Sequence, residues 1–214
     1  SRFMKRIFPI IIVIIAAFAT ISIFVFHKST LFYNGKSDYS IVLCNNASTS
    51  EQTAAKELQD YLEQIGGVVL PIINRDQLEE GQKHIFIGYN KKYGTEYDVE
   101  RPDKNDEGFT YRNVGDNIWI YGGSQRGTIY GVYSFLENEL GVRWYTKSCT
   151  KVPERNTWSF GKLNHSETPA VGIRQMDYFD AQDAAFLAHN KVNSIWNSQV
   201  NKYGNLVGYW RCHT

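Results

Sequence analysis

The apolar positions of this chain form one unbroken block, followed by shorter alternating and helical patterns. Residues 7–26 (IFPIIIVIIAAFATISIFVF) carry no charge, and Lys5 and Arg6 precede them. At about 1.5 Å per residue, a helix of this length spans the hydrocarbon core of a bilayer. No face of the segment is polar, which argues against a buried core helix. A secretory signal has a shorter apolar region, about 7–15 residues, and then a small-residue cleavage site. Ala17-Phe18-Ala19 fits such a site, but cleavage there leaves 21–26 (ISIFVF) on the mature surface. Residues 1–28 therefore read as a signal anchor, with a cleaved signal peptide as the alternative. In both cases the positive flank stays in the cytoplasm, and residues after about 28 lie on the periplasmic or extracellular side.

After this block the pattern changes to that of a compact α+β unit. Residues 38–44 (DYSIVLC) predict a strand. Ser48 and Glu51 stand at the spacing of a capping box, and Ala54, Leu58, Leu62 and Ile65 recur at helical spacing until Gly66-Gly67. Residues 68–73 and 84–88 read as strands. Residues 109–114 and 117–121 read as a hairpin turning at Gly115-Asp116. A second helix is expected over 125–140, with Ile129, Val132, Leu136 and Leu140 on one face, and a short strand over 142–145. The sum is a mixed sheet of five or six strands with two helices packed on it, spanning 38–160.

Composition narrows the function classes. The 214 residues include 22 acidic and 23 basic side chains, and 43% are hydrophobic. A disordered tail lacks that apolar content. A nucleic-acid binder of the phosphate-neutralising kind needs a basic excess that is absent, so no nucleic acid is expected as partner. Cys44, Cys149 and Cys212 are too few and too scattered for a disulfide scaffold or a zinc site, and read as buried or semi-buried free thiols, with one bridged pair and an odd thiol as the alternative in an oxidising compartment. No metal and no cofactor are expected.

The turn 121–127 (YGGSQRG) runs from a strand into a helix, the setting of a phosphate cradle. It lacks the Gly-Lys-Ser/Thr of a P-loop and the spacing of a dinucleotide fingerprint. Gly123, Gly127 and Gly131 are four residues apart, a spacing that lets a helix lie close on a sheet, and packing is the reading preferred. Among aromatic candidates for a sugar face, Trp119 and Trp144 sit on apolar strands and read as core. Tyr121 and Tyr145 accompany them, and Trp210 lies in a loop-like stretch as the better sugar contact. Asn46-Ala47-Ser48 and Asn164-His165-Ser166 match the glycosylation sequon, a pattern common by chance.

The string 126–145 (RGTIYGVYSFLENELGVRWY) resembles the end of the non-catalytic N-terminal domain of certain glycoside hydrolases. These are the family 67 α-glucuronidases, the family 20 β-hexosaminidases and bacterial proteins with domain of unknown function 4838. The helix 54–62 (AAKELQDYL) and the blocks 70–72 (LPI) and 85–88 (IFIG) fit the same pattern in the same order. The resemblance covers 38–160 and implies an α/β accessory domain that precedes a catalytic TIM barrel and does no chemistry itself.

Residues 168–214 then read as the start of such a barrel. The segments 171–177 (VGIRQMD), 183–190 and 192–197 predict strand, helix and strand, the first βαβ unit of a (β/α)8 barrel that is incomplete here. Two strands and a helix cannot close a core, so Val171, Ile173, Val192 and Ile195 are expected to pack poorly. The resemblance places a sugar-binding arginine on the first barrel strand, where Arg174 stands. The alternative is a scaffold salt bridge to Asp177 or Asp180. It also implies a substrate-facing histidine near His213. Asp177, Asp180 and Asp183 are not read as the catalytic pair, because the family's catalytic carboxylates come from later strands, and Asp183 fits a helix cap. The expectation is the non-catalytic N-terminal portion of an exported, membrane-tethered carbohydrate-active enzyme, inactive by itself. Its substrate-binding candidates are Arg174, Trp210 and His213, its partners a glycan and the membrane through 7–26. A membrane-tethered glycan-binding or interaction module is the alternative.

Overall fold

The structure, a computed structural model, describes residues 28–79, 81–176, 183–193 and 201–204. The apolar block 7–26 lies outside them, and no helix among the described residues is long and apolar enough to cross a membrane. Strand β1 (Ser29–Tyr33) leads to β2 (Tyr39–Leu43), helix α1 (Thr49–Gly66), β3 (Ile72–Asn74) and β4 (Lys83–Ile87). The short helix α2 (Lys91–Glu96), β5 (Phe109–Val114), β6 (Asn117–Gly122) and helix α3 (Gly127–Asn138) follow. Then come β7 (Arg143–Thr146), β8 (Cys149–Lys151), β9 (Thr157–Phe160), β10 (Asn164–Glu167) and helix α4 (Ala184–His189).

The central sheet has six strands in the order β10-β5-β6-β4-β2-β3. Strands β3, β2, β4 and β6 run parallel, and β5 and β10 add antiparallel to that block. Both faces are covered, which explains why β2 is buried at every position. The period of two divides the side chains: Ile41, Ile85, Ile87, Ile118 and Ile120 face α1 and α3. Val42, Phe86, Trp119 and Tyr121 face an aromatic cluster with Tyr93 of α2. The fold is α+β, a mixed six-stranded sheet packed with helices.

Local signals were realised closely where they were strong. The Ser48 side chain accepts from the Glu51 amide at 3.1 Å while Glu51 accepts from the Ser48 amide at 2.9 Å. Gly67 ends α1 in the left-handed region at φ 65°. The hairpin turns at Gly115, φ 59°, and Asp116.

The glycine series is a packing device. A Cβ on Gly127 would stand 2.5 Å from the Gly108 carbonyl oxygen, and one on Gly131 would meet Ile120 Cγ2 at 3.0 Å. One on Gly123 would meet the Asp106 carbonyl oxygen at 2.1 Å. The helix start and the strand end touch backbone to backbone, which no other residue permits.

Several expectations are corrected. Residues 142–145 do not join the sheet: β7 pairs only with β8 in a separate ribbon, and the sixth place is taken by β10, paired to β5. Strand β1 pairs with β9, and β10 adds to the edge of the central sheet on β5. The strand over 68–73 shortens to Ile72–Asn74. Residues 171–176 form no strand beyond an isolated bridge at Gln175. There the Arg174 Nη1 donates to the Val171 carbonyl at 2.7 Å, bending the segment back on itself. Val171 and Ile173 are exposed, as expected, but Val192 is buried beside Leu187 and so packs better than expected. Of 192–197, residues 192 and 193 are not in a strand; 194–197, and Ile195 with them, lie outside the described residues, as do Asp177 and Asp180.

Replacing Gly127 by Ala forces a Cβ against backbone that cannot give, and we expect a loss of about 1–3 kcal/mol. Gly161→Ala, at a position with nothing within 4 Å, should stay within about 0.5 kcal/mol of the parent. Urea melts of the two variants check this.

Candidate functional site

Two places gather chemistry-bearing side chains: a buried ion-pair cluster around Glu107, and a cleft at one end of the sheet. The cluster is built from three stretches distant in sequence. Glu107 lies just before β5, Arg126 is the residue before α3, and Arg174 and Asn193 flank α4. Glu107 accepts from Arg126 Nε and from Arg174 Nη2. It also accepts twice from Asn193 Nδ2, at 2.8 and 2.9 Å. Asn193 Nδ2 donates to the Gly172 carbonyl as well, and its Oδ1 accepts from the Arg174 amide at 2.8 Å. Arg174 Nε donates to the Lys191 carbonyl at 2.7 Å. The guanidinium lies 5.9 Å from the centre of the Tyr130 ring.

Burial pushes the Glu107 carboxyl up, but the hydrogen bonds from Asn193, Arg174 and Arg126 outweigh it and hold the group below the usual carboxylate range. The side chains of Glu107 and Arg126 are only 10% and 8% exposed. Two cations on one carboxylate form a satisfied structural network, and a carboxylate kept ionised in this way cannot lend a proton.

Arg174 was expected on a barrel strand with either a sugar or Asp177 or Asp180 as partner. Among the described residues it pairs with Glu107, and Asp177 and Asp180 lie outside the described residues. Trp210 and His213 lie outside the described residues. Asp183 caps α4, its Oδ1 accepting from the Phe186 amide at 2.8 Å. His189 at the end of α4 stacks on Trp144, ring centres 4.7 Å apart, and its Nε2 lies 2.9 Å from Glu57 Oε2. Of the aromatic candidates, Trp119, Tyr121 and Trp144 are buried and Tyr145 is exposed. Cys44 is half-buried and Cys149 exposed, both free thiols. The exposure of Cys149 departs from the buried or semi-buried reading.

The cleft encloses about 740 Å³. It opens where the parallel strands end: Cys44 follows β2, Arg75 follows β3, Tyr89 follows β4, and Gly122 closes β6. The chain leaves β2 through α1 on one face of the sheet and leaves β4 through α2 on the other. Connections that part to opposite faces leave a crevice between adjacent strands, and open α/β sheets bind ligands there. At the floor, the Cys44 thiol donates to the Tyr89 carbonyl at 3.1 Å. Burial raises the pKa of the thiol, Glu51 adds to the rise, and Arg75 and Arg101 oppose it. Burial likewise raises Glu51, against hydrogen bonds from Ser48 and Thr128 and the charge of Arg101. Among the described residues no group of three His, Cys, Asp or Glu is placed to hold a metal ion.

Sequence reasoning missed both places. Glu107 sits in an acidic loop with no periodicity, and its partners are 19, 67 and 86 residues away. The cleft was recoverable in principle: once the strands are known to be parallel, the residues following each of them must share one edge.

Residues 27–135 match the family described as glycosyl hydrolase family 67 N-terminus. No curated protein sequence matches the chain. Among solved structures it is similar to CpGH84D, with TM-score 0.46 and 16% identity over 70% of this chain and 23% of that one. It is also similar to BtGH115A, a family GH115 4-O-methyl-alpha-glucuronidase, with TM-score 0.45 and 11% identity over 69% and 19% of the two chains. A third is the GH20 beta-N-acetylhexosaminidase from Streptomyces coelicolor A3(2), with TM-score 0.43 and 13% identity over 69% and 25%. The chain spans a quarter or less of the length of each of these proteins.

Removing the Glu107 charge leaves Arg126 buried without a counter-ion, and Glu107→Gln should cost about 3 kcal/mol in urea unfolding. The native carboxyl titrates below its unfolded value of about 4.5. The stability it contributes is therefore complete above that value and is lost as the pH falls through the lower folded one. The variant should lack this acid-limb dependence, which parallel melts from neutral pH downward would show.

Proposed function

The chain belongs to the family of glycosyl hydrolase family 67 N-terminal domains, and from that premise we propose that it is the non-catalytic N-terminal portion of an exported carbohydrate-active enzyme of the α-glucuronidase or hexosaminidase kind. The family match carries the proposal: it takes in β1 to β6 and most of α3, the body of the fold. The Glu107 cluster supports it physically. An accessory domain that braces a following domain needs a rigid joint, and here the residues around Arg174 and Asn193 are bonded directly into the domain. Residues 168–214 are the opening of that following domain, a (β/α)8 barrel, in this reading.

The chemistry belongs to the parent enzyme. Hydrolysis of a glycosidic bond takes two carboxyls about 5–10 Å apart across the sugar bond, one of them able to hold a proton. Glu107 is locked ionised and Asp183 is used as a cap, so neither fills that role. Arg174, Trp210 and His213 are proposed as sugar contacts of the complete enzyme. Three nitrogens of the Arg174 guanidinium each donate to a described residue. The apolar block 7–26 tethers the protein to the membrane and places the folded domain on the exported side, with a glycan as partner.

The cleft favours a second reading, a tethered glycan-binding or interaction module without a catalytic barrel. The two part at the gene: an open frame running on past Thr214 for about 200 residues completes a barrel and supports the enzyme, whereas a stop codon there supports the module. We expect the purified chain to turn over aryl-glycoside and uronide substrates no faster than a buffer blank. Turnover clearly above the blank would show that the chain is itself catalytic and end the proposal.

A further inference from the structure

The cleft at the ends of the parallel strands is lined by four cationic side chains, although the chain as a whole has a formal charge of only +1. Arg75 follows β3, Lys91 opens α2, and Arg101 and Lys104 lie in the connection from α2 to β5. None of the four pairs with a carboxylate among the described residues. The two acids lining the same cleft already have partners. Glu51 accepts from the Ser48 amide and from Thr128 Oγ1, and Asp76 accepts from Asn45 Nδ2. Elsewhere in the molecule, cations with carboxylate partners are common, from Lys56–Asp60 to Lys191–Glu167. Four cations against two acids leave the lining of this cleft with a positive excess.

Its other groups suit a polar ligand with a flat apolar side. Asn45 and Asn46 bring amide groups to one wall, and the half-buried Tyr89 lines another, its hydroxyl already donated to the Val99 carbonyl at 3.1 Å. A volume of about 740 Å³ falls inside the range of about 300–1,000 Å³ occupied by small-molecule sites. A nucleotide fits poorly. The adjacent glycine turn, where a phosphate cradle would form, is closed by the carbonyl oxygens of Asp103 and Asp106, at 2.6 and 2.1 Å from where a Cβ on Gly123 would stand. Carbonyls repel a phosphate.

We propose that this cleft binds an anionic glycan, a short run of sugars bearing carboxylate or sulfate groups. Arg75, Lys91, Arg101 and Lys104 meet the acid groups, the asparagine amides meet hydroxyls, and the Tyr89 ring meets a sugar face. Guanidinium groups suit this task because they present paired donors to planar or tetrahedral oxyanions. The choice of a sugar over another anion rests on the accessory-domain reading above. On this assignment the domain holds an acidic chain at a place separate from the Glu107 joint.

The test measures binding by the full chain, kept in nonionic detergent because of residues 7–26. Three probes of matched length serve: oligogalacturonate, a sulfated dextran oligomer and a neutral xylo-oligosaccharide. At least one acidic probe should bind, and its affinity should fall about tenfold or more in Arg75→Ala/Arg101→Ala. It should also fall as salt rises from about 0.05 to about 0.5 M. Lys36→Ala/Lys56→Ala, an equal loss of charge outside the cleft, should change affinity by less than about twofold. Binding of oligogalacturonate alone identifies a uronate ligand, and binding of the dextran alone a sulfated one. The proposal is overturned if the neutral probe binds as tightly as the acidic ones, if the double variant binds unchanged, or if neither acidic probe binds. All the substituted side chains are exposed, and a melting curve of each variant confirms that it folds. Hydrolytic turnover, the result that would defeat the accessory-domain reading, is scored in a separate assay and does not enter these outcomes.

Discussion

One buried carboxylate decides how this molecule is joined. Glu107 accepts hydrogen bonds from Arg126 at the start of helix α3, and from Arg174 and Asn193 either side of α4. Each of these groups is expensive to bury alone, because desolvation of a charge costs several kcal/mol. Together they satisfy one another. The segment after the sheet is therefore fixed against it by a specific polar contact, with the His189–Trp144 stack and the Tyr130 hydroxyl on the Val192 carbonyl alongside.

That joint depends on how closely α3 lies on the sheet. With Gly122 and Gly127 in backbone contact, Arg126 is delivered to the edge of β5 next to Glu107. The same helix start, together with α1, stands at the end of the parallel strands where the basic cleft opens. Joint and cleft are thus two outcomes of one topology: helices departing to opposite faces leave a crevice, and the chain returning from β10 closes on the neighbouring edge.

Much of the fold was legible because its signals are local. The capping box of Ser48 and Glu51, the periodicity from Ala54 to Ile65, the Gly115-Asp116 turn and the alternation of β5 and β6 each follow from residues within a few positions of one another. The misplaced elements are those decided by long-range pairing. Trp144 reads as a strand residue and is one, but nothing local says that β7 pairs with β8 rather than with the sheet. Strand β10, with the exposed and half-buried sequence NHSE, has no apolar alternation to announce it and is held by β5 alone. Arg174 was read from the sequence as a sugar contact or as the partner of Asp177 or Asp180. That the partner is Glu107 is a fact of tertiary structure, beyond any spacing rule.

The account stands or falls on whether Arg174 and Asn193 are bonded to the sheet domain through Glu107. Amide hydrogen exchange at Arg174 and Asn193, compared with Ile120 in the central strand β6, reads this most directly, because the Arg174 amide is held by Asn193 Oδ1 and the Asn193 amide by the Arg174 carbonyl. In the parent chain both amides should be protected. In Glu107→Gln their protection should collapse while that of Ile120 persists. Exchange of the Arg174 and Asn193 amides at the rate of an unstructured peptide in the parent chain, or protection unchanged by the substitution, would contradict the account.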